Sequence, residues 1–499
     1  MAASAAGFLA VALVAATPSS PFLPIQPQGA EPGGPFRWLA GVARLDRLEG
    51  PALVAAGVAA VALAAAGFAL AAREAWRGRL SVRTVLLLAG VYHLVVLTLP
   101  LLFSRDVYSY AMYGRMAGVH GANPYVAVPA DFPGDPAFGL VGPRWIETPA
   151  VYGPLFTLLS AGMARAIGSL QGLVVAFRTL AICASFATAV AAVALARRVR
   201  PERAAFAGAV LGLNPVVLFQ SAGSGHNDLL VALGIAGAAL ALVGGRELLA
   251  AALLALSAVV KAPAAVPLLL LVVGAVARRP REERLPAVAR LVGVAGGIGL
   301  AAALPFLQAR DPTLGMLELA THEGWLAPSR FFRRVLGAAA GAAGGEGVEA
   351  AVALGIRLAF AGLLLAALAA LARRVAREAP EAPALLASWA WGLLLLMLLG
   401  PVLLPWYVTW ALPLACLPPR VPRAALLGTS LALTVSQFTA EPARFPAGYD
   451  ANLLFGHYVV TPVVVVLLAL LLLDLRRRVG SGAPLEDAPE ELARDDHGG

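Results

Sequence analysis

The chain is short of charge. Of its 499 residues, 13% are charged against 60% apolar, where a soluble protein carries about a quarter charged residues. That excludes a soluble globular fold and points to an all-α integral membrane protein that crosses the bilayer many times. Lysine is almost missing: Lys261 stands alone against 37 arginines (38 basic residues minus one). Arginine and lysine are not interchangeable where a compact ammonium is needed, so a lone lysine draws suspicion, although survival by chance is the plainer reading. Cysteine is limited to Cys183 and Cys416. Both lie in apolar runs, which suggests buried free thiols and no disulfide framework. No cluster shows metal-ligand spacing, so neither a metal nor a cofactor is expected. The formal charge is +9, but the positives fall in short clusters between apolar runs. They encode topology, not a nucleic-acid footprint.

The chain is organised around Ser104-Arg105-Asp106-Val107-Tyr108-Ser109-Tyr110. This stretch follows an apolar run, Val82 to Phe103, long enough to cross a bilayer, which takes roughly 20 residues. A carboxylate there would sit at headgroup level, with a low-dielectric wall on one side, a setting that suits a base acting on a lipid-borne substrate. The bland reading is an interfacial Arg105–Asp106 pair anchoring a helix end.

Arginine clusters set the threading, because short cytoplasmic loops collect them. Residues 5–16 read as a short first span, 17–50 as an external loop, and Pro51–Ala72 as the next span. Arg73, Arg77, Arg79 and Arg83 then mark the cytoplasmic side, so Val82–Phe103 runs outward. Segment 104–172 is a long external loop whose aromatics, among them Tyr108, Tyr113 and Trp145, argue against disorder. Within it, 154–167 reads as a helix along the interface, since Leu173–Ala196 must end at the cytoplasmic Arg197-Arg198. The rest alternates, with a second external loop at 307–347 and a short return at Val408–Leu417. Counting this way gives about 13 or 14 spans. Residues 51–478 form the spanning domain, and 479–499 read as a disordered acidic cytoplasmic tail.

This threading gathers Arg105, Asp106, Arg115, Asn123, Tyr152, His226, Asn227, Asp228, Lys261, His322, Trp406 and Tyr407 on the external side, although arginine clusters alone fixed it. Ionisable groups at membrane depth are functional candidates. Cleaving a sugar–phosphate bond builds negative charge on the leaving phosphate, which cations stabilise. The attacking hydroxyl needs a carboxylate to take its proton, and aromatics offer flat faces to sugar rings. Each piece also has a plain reading. Gly225-His226-Asn227-Asp228 resembles a helix N-terminus with an acid at the positive dipole end. Asn123-Pro124-Tyr125 and Tyr152-Gly153-Pro154 are ordinary turn sequences. Lys261 and Arg178 could snorkel, and Trp406-Tyr407 reads as an aromatic belt.

Taken in order, the heptapeptide, Tyr113-Gly114-Arg115, Gly121-Ala122-Asn123-Pro124-Tyr125, Tyr152-Gly153-Pro154-Leu155, Asn214-Pro215, Gly225-His226-Asn227-Asp228, Lys261-Ala262-Pro263 and Pro405-Trp406-Tyr407 resemble a known family. It is the polyprenyl-phosphate-mannose-dependent α-1,6-mannosyltransferases of actinobacterial lipoglycan synthesis, within the GT-C class. The resemblance runs from about Pro51 to Leu475; residues 1–50 and 307–347 match poorly. It implies a GT-C-type helical bundle with interfacial helices after the aspartate, a catalytic base at Asp106, and inverting transfer from a polyprenyl-phosphate sugar donor. The acceptor would be a glycolipid or glycan, on the extracytoplasmic face of the cell membrane. Arg105, Tyr110, Arg115, Asn123, Tyr125, Tyr152, His226, Asn227, Asp228, Lys261, His322, Trp406 and Tyr407 would then bind substrate. The rival is a transporter or flippase of a lipid-linked sugar, which would carry internal repeats and midplane polar sites; neither is visible.

Overall fold

A computed structural model describes residues 1–27, 36–308, 313–315, 322 and 324–487. Among them every regular element is helical. Six helices are long and apolar enough to cross a membrane, seven if the bent pair Pro201–Gly212 and Val216–Ala222 counts as one. Five apolar helices are shorter: Ala2–Ala15, Val82–Thr98, Asp228–Val243, Glu247–Ala258 and Ala262–Ala277. Length and composition thus mark fewer spans than the expected 13 to 14, because that number includes these short helices.

The expected return at Val408–Leu417 is not an α-helix. It forms tight turns at Pro405–Trp410 and Leu412–Leu414, all buried among other helices. Pro405 and Pro413 each remove a backbone donor and favour such short turns over a continuous helix. Hydropathy cannot tell this case from a lipid-facing helix. Ala382–Leu399 is 78% buried and Glu346–Glu378 only 6%, yet both read as apolar.

The N-terminal helix Ala2–Ala15 covers only about 21 Å at ~1.5 Å per residue, short of a ~30 Å hydrocarbon core. It is nevertheless embedded. Gly7 and Gly67 let it meet helix Gly50–Trp76 backbone to backbone, since added Cβ atoms would lie 2.5 Å from Ala64 Cα and 2.4 Å from Ala3 O. This is small-residue packing of the membrane kind. Phe8 stacks on Tyr92 at 3.9 Å. Residue 50 is therefore no packing boundary.

The two ends of the bundle differ. Helix Leu170–Val199 is N-capped by Ser169, whose hydroxyl accepts from Gly172 N at 3.1 Å, and closes on Arg197 and Arg198, matched to the negative end of its dipole. Near those C-terminal arginines the chain's own tail is docked. Asp487 N donates to Leu417 O at 2.9 Å, Arg423 holds the Asp487 carboxylate at 2.7 Å, and Trp391 Nε1 donates to Leu485 O at 3.2 Å. Residues 479–487 are therefore not disordered, because buried arginines and Trp391 bind their carbonyls. Residues 488–499 of the expected tail lie outside the described residues.

Candidate active site

The site grows from a break in the chain at the end opposite those arginines. Helix Val82–Thr98 stops short of the aspartate. An irregular stretch follows, with Phe103 at φ 55, and Asp106 opens a new helix, Asp106–Gly118. The carboxylate thus heads a second helix rather than ending a span. Helix Pro154–Ala166 is a separate element packed on it. Gly114 and Gly118 allow the approach, since a Cβ at either would lie within 2.6 Å of the Ser160 or Ala161 carbonyl.

The second segment enters through Asn214-Pro215. Pro215 cannot donate, and the helix bends by 42° there. Asn214 Nδ2 satisfies Val210 O at 3.1 Å and reaches Ser430 Oγ at 2.8 Å. A π-helical turn, Val216–Ala222, leads to Gly225 at φ +74, where a Cβ would sit 2.6 Å from Val107 Cγ2. Only glycine suits both the left-handed backbone and that space. It delivers His226 to the head of the aspartate helix: Nδ1 lies 3.5 Å from Asp106 Oδ2. Tyr110 OH lies 3.4 Å from both His226 Nδ1 and Asn227 Oδ1. Arg178 does not snorkel; it is buried and donates to Gly223 O at 3.0 Å and Val96 O at 2.9 Å, tying the two breaks together.

Three further segments close the cluster. Lys261 follows helix Glu247–Ala258 and donates to both Asp228 oxygens at 2.8 and 2.9 Å. Trp410 Nε1 donates to Asp228 Oδ1 at 2.7 Å. Lys261 Nζ lies 4.7 Å from the Tyr407 ring centroid and 5.7 Å from that of Trp410, within cation–π range. Trp406 stacks on His226 at 3.6 Å. Gly153 seats the next turn against Lys261: its N donates to Val260 O at 3.1 Å, and a Cβ would lie 2.3 Å from Val259 O. Tyr152 meets Tyr110 edge to face at 4.8 Å.

Electrostatics separate the members. Asp228 and His226 side chains are fully buried, whereas Asp106 is 27% exposed. Burial raises the Asp106 carboxyl from 3.8 to about 6, against the pull of Lys261 and with a push from Asp228. Burial, then the Lys261 charge, holds His226 well below its usual value, so it is neutral. His226 Nε2, Asn227 Nδ2 and Trp406 Nε1 are buried without a hydrogen-bond partner. Buried polar atoms normally have partners, so three orphans in one cluster mark it as unfinished without a ligand.

Other expected site residues stand apart. Arg115 Nε is held by both oxygens of Asp135, at 2.9 and 2.8 Å, which also accepts from His120 at 2.8 Å. Arg105 pairs with Glu441, which accepts from Ile25 N at 3.2 Å. Asn123 Oδ1 caps Tyr125 N at 3.0 Å, and Tyr125 OH donates to Tyr152 O at 2.6 Å; both build the turn beneath Tyr152. His322 stacks on Trp145 at 5.4 Å. Trp410 and Glu441 were missed. Trp410 lies four residues after Trp406, and Glu441 is the sole carboxylate between Arg423 and Tyr449, so each left a signal.

The family model described as alpha-(1->6)-mannopyranosyltransferase, N-terminal domain, matches residues 4–278, more than half of the chain. The match contains Asp106, His226, Asp228 and Lys261; the Trp406–Trp410 turn lies beyond it. Alpha-(1->6)-mannopyranosyltransferase A of Mycobacterium tuberculosis is 28% identical over 379 residues, 72% of this chain and 69% of that protein. The protein of the same name from Corynebacterium glutamicum is 34% identical over 184 residues, 35% of this chain and 36% of its own length. A probable alpha-(1->6)-mannopyranosyltransferase of Mycolicibacterium smegmatis is 44% identical over 75 residues, 15% of this chain and 13% of its own. No solved structure matches.

Proposed function

The chain belongs to the alpha-(1->6)-mannopyranosyltransferase family and is a membrane mannosyltransferase; from that premise we propose how and where it works. Its donor is a mannosyl-phosphoryl-polyprenol, its acceptor a glycolipid or glycan hydroxyl, and its site faces the extracytoplasmic side. The observation that supports this best is the partly open Asp106 carboxyl, tuned to about 6, at the head of a cluster with three orphaned polar atoms.

In the proposed step the acceptor oxygen attacks the anomeric carbon from the face opposite the phosphate. Asp106 takes the hydroxyl proton. The C1–O bond breaks with its electron pair passing to the phosphate, and a β-linked donor gives an α-linked product. A base works best with a pKa near the working pH, and about 6 leaves Asp106 mostly ionised at neutral pH. Lysine carries three N–H donors; two of those on Lys261 go to Asp228, and the third serves the leaving phosphate. His226, Asn227 and Trp406 offer their orphaned atoms to the sugar hydroxyls, and Tyr110, Tyr152 and Tyr407 give it walls. Arg105 and His322 belong to the rim, where donor or acceptor enters. Arg115, committed to Asp135, shapes the loop instead.

The test supplies purified protein in proteoliposomes with acceptor and either mannosyl-phosphoryl-polyprenol or a nucleotide-mannose. Transfer from the lipid donor alone, with an α-linkage by NMR, is expected. Transfer from the nucleotide sugar would overturn the donor assignment. For sidedness, Val126→Cys, at an exposed position near the site, should react with a membrane-impermeant maleimide on intact cells. Protection until the cells are lysed would place the site on the other face.

A further inference from the structure

At the opposite, arginine-rich end, two grooves flank helix Arg420–Val435. One, about 270 Å³, runs between that helix and helix Gly50–Trp76 over Phe68, Trp76, Phe206 and Leu431, with Arg73 and Arg420 on its rim. The other, about 230 Å³, lies on the helix's far side over Val421, Ala424, Leu467 and Leu470, with Arg420 again and Arg477. Arg420 is thus shared by both grooves.

The cations here fall into two groups. Arg203 and Arg423 are occupied: each lies over the Trp76 ring, at 3.6 and 3.8 Å, Arg203 donates to Trp76 O at 2.6 Å, and Arg423 holds Asp487 at 2.7 Å. Arg73, Arg420 and Arg477 are exposed and, among the described residues, take part in no side-chain hydrogen bond or ion pair. Asp474, the one acid among the described residues lining either groove, is taken by Arg478 at 2.8 Å. Among the described residues, the grooves therefore combine apolar floors with positive rims that no carboxylate pairs, at the arginine-rich end of the bundle.

We propose that this is a binding site for a diacyl anionic phospholipid: the phosphate sits at Arg420 between Arg73 and Arg477, with one acyl chain in each groove. The shared arginine between two apolar troughs favours a two-chain lipid over a free anion. Arginine clusters beside apolar grooves between spanning helices are the physical basis of headgroup recognition, worth roughly a fivefold change in binding per cation near the surface. The site lies across the bilayer from the proposed chemistry and does not depend on it.

The test uses the full chain in detergent, with thermal unfolding followed as phosphatidylglycerol, phosphatidylcholine of the same acyl chains, or glycerol 3-phosphate is added. Phosphatidylglycerol alone should protect the wild type, and Arg73→Gln/Arg420→Gln should require roughly twentyfold more lipid for the same protection. Equal protection by phosphatidylcholine or by glycerol 3-phosphate, or an unchanged requirement in the double variant, would overturn the proposal. Should the double variant fail to fold, Trp76 gives a second readout. Brominated phosphatidylglycerol should quench fluorescence more than brominated phosphatidylcholine, and Trp76→Phe should abolish that excess. Persistence of the excess in Trp76→Phe would place the lipid elsewhere.

Discussion

Replacing Asp106 with asparagine should stabilise the protein. Burial raises the Asp106 carboxyl from 3.8 to about 6, so its ionised form is worse off in the fold than in the unfolded chain. At 1.36 kcal/mol per pH unit, that amounts to about 3 kcal/mol against folding at pH 7.5. A carboxyl 27% open to solvent recovers part of this through water, leaving roughly 1–2 kcal/mol. The sign follows from linkage. Below 3.8 both states hold the proton and the penalty is absent; it grows as pH rises and is complete above about 6. Asparagine carries no charge and escapes it. Thermal unfolding in detergent should therefore show Asp106→Asn melting ~1–3 °C above wild type at pH 7.5, with about half that gain at pH 5 and almost none near pH 3. A lower melting temperature, or a gain independent of pH, would refute the claim that Asp106 is a desolvated charge kept for function.

The rate should depend on the same group. kcat/KM is expected to climb about tenfold per pH unit up to about 6 and then level, because a protonated Asp106 cannot accept the hydroxyl proton; a flat profile down to pH 5 would contradict this. Lys261→Met should cost about 3–5 kcal/mol by leaving the buried Asp228 charge without its cation, with only the Trp410 N–H still bonded to it. Asp228→Asn/Lys261→Met should recover most of that stability while staying inactive, as thermal unfolding and transfer assays on both variants would show. Gly153→Ala should cost about 1–3 kcal/mol and lower kcat, since its Cβ would meet Val259 O at 2.3 Å and push Lys261 away; wild-type kinetics would refute the coupling. A divalent-metal chelator should leave the initial rate within about twofold, as expected when Lys261 serves the leaving phosphate, and a larger loss would give a metal that task.

The legible part of the molecule was the part that membrane energetics makes costly. In a chain 13% charged, Asp106, His226, Asp228 and Lys261 stand out because each must earn its place among apolar neighbours, and they meet as two pairs, Asp106 with His226 and Asp228 with Lys261. Pairings were less legible. Arg115 reads as a spare cation until Asp135 is seen to take it, because charges inside a polar loop carry no penalty that flags them. Glu441 reaches Arg105 across 336 residues; its isolation among uncharged neighbours marks it, but nothing local names Arg105 as its partner. Trp410 looks like one more apolar residue in Val408–Leu417, yet its indole N–H holds Asp228. The same ambiguity misread that run as a span: hydropathy reports exclusion from water, not whether lipid or protein does the excluding.

Transfer of labelled mannose by Asp106→Asn tests the reading most directly. With mannosyl-phosphoryl-polyprenol and acceptor at saturation, the variant should fall at least a hundredfold in kcat while retaining the donor as wild type does. Turnover within a fewfold of wild type, in a variant that still binds donor, would remove Asp106 from the chemistry.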